Sequence, residues 1–156
     1  MAKKKSKGLL NKYSLAIVFI LTVISVAMLF VKNVVNDSAM IAVEFTGLQI
    51  VFGYAEKAGA LSVQILNFSI LACLAYALPI AGFVMLALFK DSGKVFGLII
   101  AIVFVVGAIL AFLLPSFVIA NNGQAVSGLK LGVGAIVSAI ASILSAVLVL
   151  AKTLLK

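Results

Sequence analysis

The chain has 156 residues, 65 % of them apolar, and a net charge of +8 from 12 basic and 4 acidic side chains. Soluble domains carry about 45–50 % apolar residues, and a domain this small leaves much of its surface exposed, so a water-soluble fold is excluded. Every basic residue is Lys, set at the edges of apolar runs, a placement that suits membrane orientation and anionic headgroups and argues against nucleic acid as a partner.

A bilayer core about 30 Å thick needs about 20 apolar helical residues. Residues 1–12 are a basic tail, and residues 13–31 are 19 uncharged residues between Lys12 and Lys32, the first expected span. This run is longer than the apolar core of a signal peptide, about 7–15 residues, and no small-x-small site follows it, so an uncleaved span is expected. The second span is expected at 68–89, with Pro79 predicting a kink where one backbone bond is lost. A tight basic turn, 90–94, leads to a third span at 95–114. A fourth is expected at 131–151, before a short tail at 152–156. Runs this long exclude barrel strands, which alternate polar with apolar over about 9–11 residues. With the N-terminus inside, nine Lys fall on the cytoplasmic side and three (Lys32, Lys57 and Lys130) outside. The bias predicts a multi-pass cell-membrane protein with both termini cytoplasmic.

Two segments then lie outside. Residues 32–67 are too long for a simple connection and should be folded. Ile41, Val43 and Phe45 alternate with polar or small residues. After Gly47 the parity shifts to Leu48, Ile50, Phe52 and Tyr54, which predicts two strands joined at a bulge or turn. From Ala55 the composition predicts a helix running into the second span. In residues 115–130, Asn122-Gly123 predicts a hairpin within 117–126 that supplies a strand to the first segment's sheet. The fold class expected is therefore an all-α membrane protein, a four-helix bundle with a small extracytoplasmic β-sheet built from both outer segments.

Lipid removes the hydrophobic drive between spans, so packing should use small residues. Gly134, Ser138, Ser142 and Ala146 form such a stripe on the fourth helix, either within the bundle or at a homo-oligomer seam. Gly97, Ala101, Gly107 and Ala111 offer the same on the third, and Ala77, Ala81 and Gly82 on the second.

Four spans, a longer folded first outer segment and a short inner turn resemble the claudin-like tetraspan plan. That family carries Gly-Leu-Trp and then two cysteines in its first loop. Gly47-Leu48 match, whereas Gln49 replaces the Trp and Phe52 stands where the first cysteine falls. The resemblance implies shape and transfers no functional residue.

Chemistry-bearing patterns are sparse. No charged residue of the kind that coupled transport usually requires lies within the expected spans. Cys73 is the single cysteine, so a paired-thiol mechanism is excluded. Gly132-Val133-Gly134 lacks the strand, third Gly and acidic residue of a dinucleotide fingerprint. No catalytic residue, metal ligand or cofactor site is expected. The leading expectation is a non-enzymatic scaffold or interaction protein. It would act through an outer surface of Phe45, Gly47, Leu48, Ile50, Phe52 and Tyr54, with itself or a larger membrane protein as partner. The alternative is a small pore or transport-complex subunit, whose polar face would use Thr22, Ser25, Ser138, Ser142 and Ser145.

Overall fold

The computed structural model describes residues 2–36, 43–58, 61–89, 93–122 and 128–155, with side chains placed in 13–36, 43–57, 62–89, 93–122 and 128–155. Four of its helices are long and apolar enough to cross a membrane. In lipid the backbone must bond internally, which makes the helix the only solution for such runs. Helix α1 spans Ala2–Ala27 and continues as a 3₁₀ turn, Met28–Phe30. Helix α3 spans Ile70–Leu88, α4 spans Lys94–Phe112 and α6 spans Val133–Leu154. They form a ring in which α1 packs on α6 and α3, and α4 packs on the same two from the other side. Lys152, expected in the tail, lies inside α6 and is buried.

Close approach in this bundle is achieved by glycine receiving bulk. A Cβ on Gly82 would come within 2.9 Å of the Phe104 ring, and one on Gly107 within 3.1 Å of Pro79 Cδ. A Cβ on Gly97 would overlap Thr153. Helix α3 runs through Pro79, whose ring nests against Gly107. Ala101 and Ala111 are buried, whereas Ala77 and Ala81 are exposed, so the small-residue face of α3 is narrower than its sequence suggests.

At one end of the bundle the connections fold into a cap. A three-stranded antiparallel sheet has the order β2-β1-β5, with β1 at Lys32–Asn36, β2 at Val43–Thr46 and β5 at Lys130–Leu131. The segment before α6 therefore does supply a strand to the segment after α1. Val34 sits opposite Phe45 on one side and Leu131 on the other, and the ladder slips between Lys32 and Val34, at Asn33. A Lys32–Glu44 ion pair crosses the edge. It is partly exposed and contributes little.

Three expectations for these connections need correction. The parity shift at Gly47 is not a second strand. Gly47–Phe52 is a short helix, α2, started by a capping box in which Thr46 and Gln49 bond each other's backbone. The stretch from Ala55 is not helical. Tyr54–Ala58 (β3) and Leu61–Leu66 (β4) form a separate antiparallel hairpin, entered through Gly53 at φ 84°. A Cβ there would strike Leu66 O at 2.7 Å, so both conformation and space require glycine. Of the hairpin expected within 117–126, residues 117–122 belong instead to helix α5, Leu114–Asn122, and residues 123–126 lie outside the described residues. The first residues of the expected first strand, Met40–Ala42, the polar part of the inner turn, Lys90–Ser92, and Gly123 lie outside the described residues.

The cap and the adjoining helix ends share one apolar core. Val34, Phe45, Ile50 and Leu66 from the cap meet Ala72, Ala75, Leu114 and Ala135 from the helices. A second cluster fills the far half of the bundle around Phe104, Val18, Ile100 and Val149. Because the Phe104 ring fills the space above Gly82, Gly82→Leu should lower the thermal midpoint in detergent by the equivalent of about 1–3 kcal/mol. Ala81→Leu, on the exposed face one residue away, should change stability by no more than about 0.5 kcal/mol. Equal effects of the two substitutions would show that α3 and α4 do not meet at Gly82.

Candidate functional site

The most constrained point of the molecule is Asn33. A bulge adds an unpaired residue to one strand and re-aims its side chain. Here the slip in the β1–β2 ladder coincides with an Asn33 side chain turned inward and fully buried. Its Nδ2 donates to Met28 O at 2.6 Å and to Val31 O at 2.7 Å. Its Oδ1 accepts from the Tyr76 hydroxyl of α3 at 2.7 Å. Its backbone carbonyl accepts from Gly132 N at 2.8 Å, just before α6. Both amide protons and the side-chain carbonyl are thus engaged, as burial of an amide demands. One residue ties the end of α1, the middle of the sheet, α3 and the start of α6.

Three glycines wall this joint. A Cβ on Gly47 would lie 2.8 Å from Leu29 Cα and 2.9 Å from Asn33 Nδ2. One on Gly134 would lie 2.8 Å from Asn33 Nδ2, and one on Gly132 would lie 2.5 Å from Lys32 O. The joint carries no nucleophile poised beside a base and no carboxylate pair. Among the described residues, no group of three or more His, Cys, Asp or Glu comes together. The joint is a satisfied hydrogen-bond network that positions the elements it ties.

The residues singled out in the sequence converge on this region in an unforeseen way. Phe45, Gly47 and Ile50 are buried, Leu48 and Tyr54 are half-buried, and only Phe52 is fully open, at 68 % exposure. Most of that set is therefore the inner face of the cap. Gly134, Ser138, Ser142 and Ala146 are all buried within the chain. Gly134, like Gly47, lies against the Asn33 carboxamide. Ser138 Oγ bonds Ser25 Oγ at 2.7 Å, and Ala146 packs in the cluster with Val18. Thr22 and Ser145 are buried as well. Asn33 and Tyr76 themselves were missed. The one available signal was a polar residue at each point where an apolar run needed none.

A second polar contact holds the two connections together away from the joint. Asn67 N donates to Asn122 Oδ1 at 2.7 Å, and Asn121 Nδ2 donates to Phe68 O at 2.7 Å. Beside this clasp lies a shallow cleft of about 320 Å³, lined by Phe68, Ser69, Ile70, Leu71, Phe117, Ala120 and Asn121.

These features define a tetraspan-like membrane bundle with a folded cap at one end. No family model, curated protein or solved structure matches the chain.

Tyr76→Phe leaves Asn33 Oδ1 buried without a donor and should cost about 1–3 kcal/mol of stability. Asn33→Ala should cost at least as much. The double variant should be less destabilised than the sum of the two, with a coupling of about 0.5–3 kcal/mol, measured by denaturation in detergent. Strict additivity would mean that the two side chains do not act on each other.

Proposed function

We propose that this protein is a non-enzymatic membrane interaction protein whose cap presents the β3–β4 hairpin to a partner in the same membrane, either a larger membrane protein or a second copy. The observation that carries this reading is the hairpin itself. It is paired to no third strand among the described residues. Its members Ala55, Glu56, Lys57, Ser62, Val63 and Gln64 are all exposed, and Phe52 stands open at its base. A two-stranded ladder is marginal in water by itself, and an open edge is a ready template for pairing. Simple connection of two helices would need only a few polar residues.

The cap faces the outside in this reading, with both termini in the cytoplasm of a cell-membrane protein, as the nine-to-three Lys distribution favours. The likeness to claudin-like proteins is one of shape. Gly47 is where close packing on Leu29 and Asn33 demands it, and Gln49 serves to cap α2 where that family has Trp.

In a Cys73→Ala background, an impermeant thiol reagent applied to intact cells should label Ala120→Cys and spare Ser92→Cys. The reverse pattern would invert the topology. For the partner surface, Phe52→Ser and Val63→Ser should weaken cross-linked recovery of the partner from native membranes by about tenfold or more, the effect of losing about 1.4 kcal/mol at an interface. Ile80→Val, on the exposed face of α3, should leave recovery unchanged. Recovery that survives both hairpin substitutions would refute this surface. Phe45 is unsuitable for such a test, because its burial in the core makes any polar replacement a folding variant.

A further inference from the structure

The first turn of α3 and the last turns of α5 do not close on each other. Between them lies the cleft of about 320 Å³ that adjoins the asparagine clasp. Its walls are apolar, with Phe68, Ile70 and Leu71 on one side and Phe117 on the other. Among the described residues, no charged side chain lines it. Its polar members are Asn121, whose Nδ2 is spent on the carbonyls of Asn67 and Phe68, and Ser69. The clasp holds the end of α5 at a set distance from the start of α3, so the cleft is built into the fold. Ser69 is only 7 % exposed. Its Oγ caps α3 by accepting from Ala72 N at 3.3 Å, and its hydroxyl proton has no acceptor among the described residues.

Depth in the membrane decides what can enter. The apolar span of α3 begins at Ile70, so the cleft straddles the edge of the hydrocarbon layer. Further along α3, Leu74, Ala77 and Ala81 follow Ile70 at intervals of three or four residues, and all four are exposed. They form one helix face continuous with the cleft wall, and in a four-span bundle that face meets lipid. Ala77 and Ala81 set its surface back from the larger neighbours. At about 1.5 Å per residue, Ile70 to Ala81 is about 16.5 Å, roughly half of a 30 Å core and so one leaflet. The matching ligand is uncharged where it enters, brings an acceptor for Ser69 to the hydrocarbon edge, and trails an apolar tail one leaflet long. A fatty-chain ester of a glycerophospholipid has that form. Water alone does not match the apolar walls, and a charged headgroup finds no counter-charge in the cleft.

We propose that the cleft between α3 and α5 binds one glycerophospholipid of the leaflet on the cap side. A chain ester carbonyl accepts from the Ser69 hydroxyl, and the chain lies along Leu74, Ala77 and Ala81. The headgroup passes Asn121 into the interface without a charged partner. The lipid is then a fitted part of the junction between cap and bundle, unlike the exchangeable lipids around it. This goes beyond the partner-binding reading and is independent of it, since neither the hairpin nor Phe52 is involved.

The test is native mass spectrometry of the full chain released from mild detergent, after incubation with dipalmitoyl phosphatidylcholine or its matched dihexadecyl diether. The native chain should retain one diester lipid and favour it over the diether by about threefold or more, the worth of one hydrogen bond. Ser69→Ala should retain the two equally, because the ester carbonyl has lost its donor. Ala120→Trp, which fills the cleft from an exposed position on α5, should cut retention of the diester about fivefold or more. Ala87→Trp, exposed near the other end of α3, should leave it unchanged. Dipalmitoyl phosphatidylglycerol should be retained as well as phosphatidylcholine, since no charge lines the cleft. Equal retention of diester and diether by the native chain overturns the proposal, and this comparison needs no variant to fold. Retention indifferent to Ala120→Trp overturns it too, as does a strong preference for phosphatidylglycerol, which would place the lipid against lysines. A lipid-free dimer would mean that a second copy covers this face of α3, and equally overturns it.

Discussion

The architecture depends on one buried amide. In an apolar bundle, a carboxamide is tolerated only if every donor and acceptor is met, because the cost of an unmet group is largest where water is excluded. Asn33 meets its requirements with carbonyls of the 3₁₀ turn that follows α1 and with Tyr76 of α3. That set of partners exists in only one arrangement of the helices and the sheet. The bulge in β1 turns the side chain inward, and Gly132 bonds its carbonyl. Gly47, Gly132 and Gly134 provide the room. The cap is thereby fixed to the bundle at a point, and its apolar residues follow into a core shared with α3, α5 and α6.

Two modes of helix contact then divide the bundle. Around α4, glycines receive Phe104, Pro79 and Thr153. Such contacts gain from dispersion across closely fitting surfaces and resist change. Between α1 and α6, Ser25 and Ser138 bond each other across the seam, and further hydroxyl residues are buried on both helices. Less of the α1 span is buried than of any other, while α6 is the most buried. The bundle thus has a close-fitted side and a polar side, and α6 belongs to both.

How much of this was legible depended on how many residues carried each signal. The four spans rested on runs of about 20 apolar residues, which the bilayer itself demands, and they are helices. The sheet across both connections was legible through alternation at Val43–Phe45 and the turn-rich second segment. Details within the connections were lost where one local signal has two readings. Thr46-x-x-Gln49 is a capping-box signature, while the parity shift at Gly47 equally predicts a step from strand to strand. Ala-Glu-Lys-Ala favours helix by propensity, yet it pairs as β3 because Leu66 and Tyr54 can join the core at its base. Asn-Gly marks helix ends as well as hairpin turns, and Asn122 closes α5. Asn33 and Tyr76 were illegible for a simpler reason. Asn33 is one polar residue at the margin of an apolar run and Tyr76 one hydroxyl inside another, and only their 43-residue pairing across the fold gives them meaning.

If the amide joint governs the cap, its removal must be felt at once in elements far apart in the chain. Hydrogen–deuterium exchange by mass spectrometry on the full-length protein in lipid nanodiscs measures this directly, comparing the native chain with Asn33→Ala under conditions where the four spans remain protected. Peptides covering β1, α2 and the β5–α6 junction should lose protection together and to a similar degree, while peptides within α4 stay unchanged. Faster exchange confined to residues beside position 33, with α2 and the β5–α6 junction as protected as before, would contradict the account.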